Sequence, residues 1–478
     1  MKKSFNLLKK GAVGIFALVA MSCSNDDNGS GPVITPPTQN IVEIALNAPE
    51  LTILVSALQA ADGDLVNVLQ GDGPFTVLAP TNAAFTAFLA QNGFSSLDDV
   101  PSDVLAEILL NHVISADLSS TDLGGLGSGY TSTNASGAGG NKISIYFNTE
   151  NGVRFNNVST VTGADIDASN GTIHIVDAVI PIPSILQHAA NNRSFDNLAT
   201  ALGAADGDLI GVLSGDGPFT VLSPDNEAFG TFLGDTPLGN VNTAILSQIL
   251  LNHVVGGVVT SADLVAGVAG YTNTSAEGPG MNPLSLYYNT SDGVVFNGIS
   301  SVTTADIVGS NGIIHAVDTV IDLPTVVTFA AADPNFSTLV EALTTLTPAT
   351  DFVNILSRTE GNNRDGFNPD FTVFAPTNAA FEALESIPGE TVLTQVLLLH
   401  VVGNANITSS DLTPNGTTSA TTLEGDDIII TLPGTGGNIA DVTDGAGNTD
   451  IGIIGVDVQA NNGVIHVLNK VMLPNTGN

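Results

Sequence analysis

"GPFTVLAPTNAAF" at residues 73–85 returns as "GPFTVLSPDNEAF" at 217–229 and as "DFTVFAPTNAAF" at 370–381. In each copy a β-favouring run ends at a proline, an oxygen-bearing side chain follows, and a helix-favouring stretch begins. Phe75, Val77 and Ala79 alternate as inward strand positions, Pro80 ends the strand, and Thr81 is the candidate helix N-cap. Asp225 and Thr377 hold the same slot, and all three residue types can offer an oxygen to free backbone amides. Phe85 falls four residues on, where it can anchor the helix in a core. The phrase reads as scaffold.

Two further phrases keep step with the first. "EILLNHVI" (107–114) returns as "QILLNHVV" (248–255) and "QVLLLHVV" (395–402), and "SNGTIHIVDAVIPIP" (169–183) as "SNGIIHAVDTVIDLP" (310–324) and "NNGVIHVLNKVMLP" (461–474). Their terminal histidines, His174, His315 and His466, lie 141 and 151 residues apart, so each unit is of domain size. The spacing divides the chain into units at 40–183, 184–324 and 325–474. Extra length in the third lies in "RTEGNNRDGFNPD" and the Gly-rich "PGTGGNIADVTDGAGNTD", both expected as surface-loop insertions.

Local patterns agree among the units. Leu51, Leu54, Val55 and Leu58 have the i, i+3, i+4, i+7 spacing of an apolar helical face, repeated by Phe195, Leu198, Ala199 and Leu202 and by Phe336, Leu339, Val340 and Leu343. Downstream, Ile143, Ile145 and Phe147 alternate with polar residues before Asn151-Gly152, and Asp292-Gly293 stands at the equivalent place in the second unit. Such dipeptides supply the positive φ angles of a tight hairpin. Each unit begins helical and ends in strands, the pattern of an α+β domain with a sheet core.

The first 22 residues stand apart. Lys2, Lys3, Lys9 and Lys10 precede the apolar "GAVGIFALVAM", which is too short for an ordinary spanning helix and reads as an export signal. Cys23, the single cysteine, follows a small residue and resembles the lipidated cysteine of a bacterial lipoprotein, with Ala20-Met21-Ser22 a loose version of that box. Ordinary secretion with an incidental cysteine is the alternative. Residues 23–39 are polar and then Gly/Pro-rich, and read as a flexible tether. Acidic residues just after the cysteine resemble the surface-export signal of Bacteroidetes lipoproteins, which implies the outer face of the outer membrane.

The formal charge of the whole chain is −37. Removing the signal leaves six basic residues against 47 acidic ones, a charge of −41. Such a surface lacks the clustered Lys and Arg that nucleic acid requires, and excludes it as a partner.

Together the "FTVFAPTNAAF" box, the central "LLxHVV" and the terminal "NGxIHVxDxVxLP" resemble the fasciclin domain, three times in tandem over nearly the whole mature chain. The resemblance implies a β-sandwich or wedge of about seven strands with packed helices. It also implies an extracellular role in adhesion or matrix contact, with a protein or glycan ligand. In this family a tyrosine usually precedes the central histidine; here Asn111, Asn252 and Leu399 stand there, which puts a tyrosine-dependent contact in doubt. Animal relatives carry an Asp-Ile pair before the last box, in segments linked to integrin binding. The matching pairs are Asp165-Ile166, Asp306-Ile307 and Asp457-Val458, each of which could equally be a packed aliphatic residue beside a turn-capping Asp.

His112, His253 and His400 each lie four residues after an apolar helical position, and His174, His315 and His466 sit in strand-like apolar runs. Two histidines per unit are too few for a closed zinc site, and the residues read as core histidines bonded to backbone. The aspartates Asp62, Asp64 and Asp72, with Asp206, Asp208 and Asp216, do not meet the twelve-residue calcium loop, and the third unit keeps only Asp351; turn and cap roles are expected. No cofactor motif and no hydrolase, phosphate-loop or dinucleotide signature occurs. The reading is a non-enzymatic surface lipoprotein that binds matrix, glycan or surface protein. A spacer without its own ligand, or an extracellular polymer-degrading enzyme or accessory, are the alternatives.

Overall fold

The computed structural model describes residues 37–475. The signal segment, Cys23 and most of the tether lie outside the described residues.

In the first unit the opening phrase forms strand β1 (Phe75–Pro80), followed by β2 (Val113–Ile114), β3 (Ser128–Ser136), β4 (Lys142–Asn148), β5 (Arg154–Phe155), β6 (Ser159–Ala168) and β7 (Gly171–Val176). These seven close into a barrel in chain order, with β1 antiparallel to β2 and parallel to β7. Closure removes the free edges at which an open sheet could pair with another chain. The second unit repeats the barrel, and in the third the same seven strands form an open sheet ending at Val401–Val402 and Gly416–Thr421. Helices such as Ile41–Asn47, Thr52–Ala60 and Ser102–Leu110 cover one side, so each unit is α+β, as its sequence pattern implies.

β1 corrects the simple inward alternation. Val77 and Ala79 point away from the barrel and pack with Leu54, Leu58 and Phe85 under the helices. Leu78 fills the barrel with Ile145, Phe147 and Phe155. A parallel-paired strand covered on both faces reads as one apolar run, and alternation then only separates two cores.

The asparagine and glycine of the last box hold this arrangement closed. Asn170 Nδ2 donates to the carbonyls of Leu69 and Gly71, both at 2.8 Å, while its Oδ1 accepts from Ile41 N at 3.0 Å. A side chain on Gly171 would collide with the Phe75 carbonyl oxygen, so β7 can lie beside β1 only with glycine there.

Two other expectations change. The β4–β5 connection is not a two-residue turn: Asn148 pairs with Arg154, leaving 149–153 as a five-residue loop in which Gly152 takes φ +85°. The Gly-rich insertion of the third unit is not all loop, because Ala440–Thr443 forms a strand with Ala440 and Val442 buried.

The three units dock through one interface used twice. At the first junction Val308 N donates to Ser144 Oγ at 3.0 Å and Ala138 N to the Gly309 carbonyl at 3.0 Å. At the second, Gln459 N donates to Ser285 Oγ at 3.0 Å. Tyr130 sets its ring edge-on to His188 at 5.6 Å, and Tyr271 does the same to Phe329 at 5.7 Å. Gly137 and Gly278 sit where an added Cβ would lie 2.8 Å from the Gly309 oxygen and 2.9 Å from the Ala460 oxygen. On the third unit strand register places Thr417, Thr431 and Ile429 at the positions of Tyr130, Tyr146 and Ser144, and Ile429 is 40% exposed.

Candidate functional site

The six motif histidines form two repeated linkages. His112 follows the C-cap of the helix Ser102–Leu110, and its Nδ1 lies 2.7 Å from the Ile108 carbonyl while its Nε2 accepts from Ile180 N at 2.9 Å. His253 bonds Ile249 O and Ile321 N at 2.7 and 2.9 Å, and His400 bonds Val396 O and Met472 N at 2.7 and 3.0 Å. A carbonyl on one nitrogen and an amide on the other assign the neutral Nδ1–H tautomer. Burial depresses all three pKa values to about 4, outweighing the opposing carbonyl bond. Each imidazole therefore pins a helix end to the segment after the last strand.

His174, His315 and His466 use the opposite tautomer. Nε2 donates to the carbonyls of Leu118, Val259 and Ile407 at 2.8, 2.9 and 2.7 Å, and Nδ1 accepts from the amides of Asp165, Asp306 and Asp457 at 3.2, 3.2 and 3.4 Å. Burial lowers the pKa values of His315 and His466. The two histidine sets have separate backbone partners. Among the described residues no group of three or more His, Cys, Asp or Glu is placed to hold a metal ion.

Asp165, Asp306 and Asp457 adopt φ of +57°, +58° and +62° at bulges in their strands. Their carboxylates accept from Ser120 N, Ser261 N and Ser409 N at 2.7, 2.9 and 2.7 Å, and from the hydroxyls of the same serines. The Ser120 bonds hold the Asp165 carboxyl below its ordinary pKa. The aliphatic partners differ in access: Ile307 and Val458 are buried and Ile166 is half-buried. Ser144 and Ser285 of the preceding units bond to the backbone directly after the second and third pairs, at Val308 N and Gln459 N.

Thr81, Asp225 and Thr377 each accept from the amide three residues on, at 3.2, 2.8 and 3.3 Å. Asp208 and Asp351 similarly accept from Gly211 N and Asn354 N at 3.1 Å, and Asp64 accepts from the Asn67 amide group at 2.6 Å.

The position before the central histidine carries a linkage that sequence reasoning missed. Asn111 is fully buried, donates to the Ile180 and Pro181 carbonyls at 3.2 Å, and accepts from Thr133 Oγ1 at 3.2 Å. Asn252 and Thr274 repeat the pair at 3.1 Å. In the third unit Leu399 and Ala420 occupy these positions inside an apolar cluster. Both polar partners are exchanged together, so neither side chain's half of their mutual bond is left stranded, and Ala446 N supplies the Leu473 carbonyl with a donor. The paired change in the sequence was the available signal.

The fasciclin domain family matches residues 49–183, 193–324 and 334–474. The chain belongs to the fasciclin family. Among its relatives, the transforming growth factor-beta-induced protein ig-h3 of Sus scrofa is 26% identical over 460 residues, covering 92% of this chain and 59% of its own length. Human periostin is 26% identical over 435 residues, covering 87% of this chain and 45% of its own. The chain thus spans about half the length of these relatives. A solved domain pair from the insect cell adhesion molecule Fasciclin I is 18% identical, with TM-score 0.36 over 57% of this chain and 96% of that one. Within the fasciclin fold, the box histidines, aspartates and caps all bond to backbone or to neighbouring hydroxyl and amide groups.

Proposed function

We propose that this fasciclin protein is a surface-exposed outer-membrane lipoprotein whose domains, at 40–183, 184–324 and 325–474, mediate adhesion to extracellular matrix, glycan or surface protein. Cys23 is its lipid anchor and residues 23–39 its tether; bacterial lipoproteins carry a diacylglyceryl group, which meets the need for about two membrane signals. The observation that carries the reading is the twice-used junction, in which Ser144 and Ser285 clamp each domain to the next. It sets the domains in a repeated placement, so that surface from neighbouring domains is presented together. The motif histidines are committed to backbone bonds, which supports a structural role for them. Of the Asp-aliphatic pairs, Asp165-Ile166 is the one with accessible aliphatic surface and is the candidate interaction pair. Immobilised glycans and matrix proteins probed with the full mature chain test the reading. Selective retention supports adhesion, whereas uniform absence of binding favours a spacer.

A further inference from the structure

A polar cleft of about 390 Å³ opens where the first and second domains meet, within the usual size range for small-ligand sites. The five-residue β4–β5 loop forms one wall, and Arg193 at the start of the second domain forms another. Its lining is chiefly amide, hydroxyl and guanidinium groups. The mature chain has six basic residues in all, and two of them, Arg154 and Arg193, share this cleft.

Arg154 is underused. Among the described residues its guanidinium makes a single hydrogen bond, from Nη2 to the Asn157 carbonyl at 2.7 Å, and its buried Nε has no partner. Among the described residues its Nη1 makes no hydrogen bond, so a guanidinium that lines the cleft keeps donors for an acceptor there. Asn157 ties the two domains through its bond to the Asn191 carbonyl and accepts from Asn148 Nδ2 at 2.6 Å. Arg193 Nη1 meets Glu150 Oε2 at 3.2 Å, but both side chains are well exposed, at 76% and 66%. An exposed pair of this kind contributes little and yields readily to a competing anion.

Docking does not require this chemistry. At the second junction, which uses the same clamp, Val295, Pro334 and Gly298 stand where the first has Arg154, Arg193 and Asn157. The polar cleft is thus an addition to one junction.

We propose that this cleft binds an acidic oligosaccharide, its carboxylate or sulfate paired with Arg154 and Arg193 and its hydroxyls with the surrounding asparagine amides. Guanidinium forks match carboxylate and sulfate-like oxygens in pairs, and the side-chain amides suit sugar hydroxyls. The ligand spans two domains, so the site exists only in the docked chain. The protein's overall negative charge does not forbid it: at physiological salt, charges beyond roughly 8 Å are screened, and among the described residues Glu150 is the one carboxylate lining the cleft. The proposal rests on the adhesion reading and names a ligand class for it.

Titration calorimetry on the full mature chain, with trigalacturonate, trimannuronate and a sulfated galactose trisaccharide, tests it against their methyl-esterified or unsulfated forms. At least one acidic form should bind and its neutral form should not. Arg193→Gln, at an exposed position that leaves folding intact, should weaken binding about tenfold or more, as should Arg154→Gln. Glu150→Gln should strengthen it by freeing Arg193. No binding by any acidic probe, equal binding of a neutral form, or wild-type affinity in both arginine variants would overturn the proposal. Retention on matrix protein without acidic-glycan binding would sink the cleft and leave adhesion standing. Glycan binding at the cleft with no retention of the chain on any native matrix or cell surface would do the reverse.

Discussion

Replacing His253 with alanine removes the bonds to both Ile249 O and Ile321 N inside the second domain. Each stranded backbone group costs about 1–3 kcal/mol, so the loss at neutral pH is roughly 2–6 kcal/mol. For a domain of this size that lowers the melting temperature by on the order of 10 °C. The same change should flatten the response to acid. Folded His253 titrates near pH 4 against an ordinary value of 6.5. Below pH 6.5 the unfolded chain therefore takes up a proton that the folded domain refuses. Stability supplied by the neutral ring is complete above pH 6.5 and is lost as pH falls towards 4, by about 3 kcal/mol in all. Scanning calorimetry of the full chain at pH 7.5 and pH 5, with and without the substitution, reads both effects on the second-domain transition. A variant equally stable at pH 7.5 would refute the linkage. A shift of the unmutated transition by zinc or EDTA, abolished by the substitution, would make the histidine a ligand instead.

Cys23→Ser should release the protein from membranes or block signal processing, read by fractionation and mass of the mature chain; full retention with normal cleavage contradicts the anchor. Gly137→Val forces a side chain against Gly309 and Val308 across the junction and against Ile143 of its own domain. It should undock the first two domains, raising the radius of gyration in solution scattering and exposing the linker near Pro183 to protease while domain transitions persist. Asn111→Leu and Thr133→Ala should each cost about 1–3 kcal/mol alone, whereas together they should recover only the part of that loss that comes from breaking their mutual bond, since the Ile180 and Pro181 carbonyls still lose their donor. Additive losses in the double variant would contradict the coupling of the two side chains.

Local signals carried the fold. The proline after Ala79 and the oxygen at Thr81 act within a few residues, and so does the helical spacing of Leu51, Leu54 and Leu58; all were readable from one stretch. The direction in which β1 faces was not, because Val77 and Leu78 both sit in apolar surroundings and only the parallel pairing with β7 separates the two cores. The five-residue β4–β5 loop escaped a dipeptide rule that describes shorter connections. The junctions left no local trace: Ser144 is an ordinary strand serine until Val308 reaches it from 164 residues away. The cleft arginines were visible in composition as two of very few basic residues, but nothing in the chain says that positions 154 and 193 meet. Asp165-Ile166, Asp306-Ile307 and Asp457-Val458 looked equivalent in sequence and differ in access: the latter two aliphatic residues are buried beside the junction serines Ser144 and Ser285.

The central claim is that docked fasciclin domains form an adhesive surface, and retention on immobilised matrix proteins and glycans tests it most directly. The full mature chain is compared with its Gly137→Val form, in which the first junction is sterically opened. The account predicts selective retention by the native chain, reduced when the domains no longer dock. Absence of retention on every surface, or retention indifferent to undocking, would contradict it.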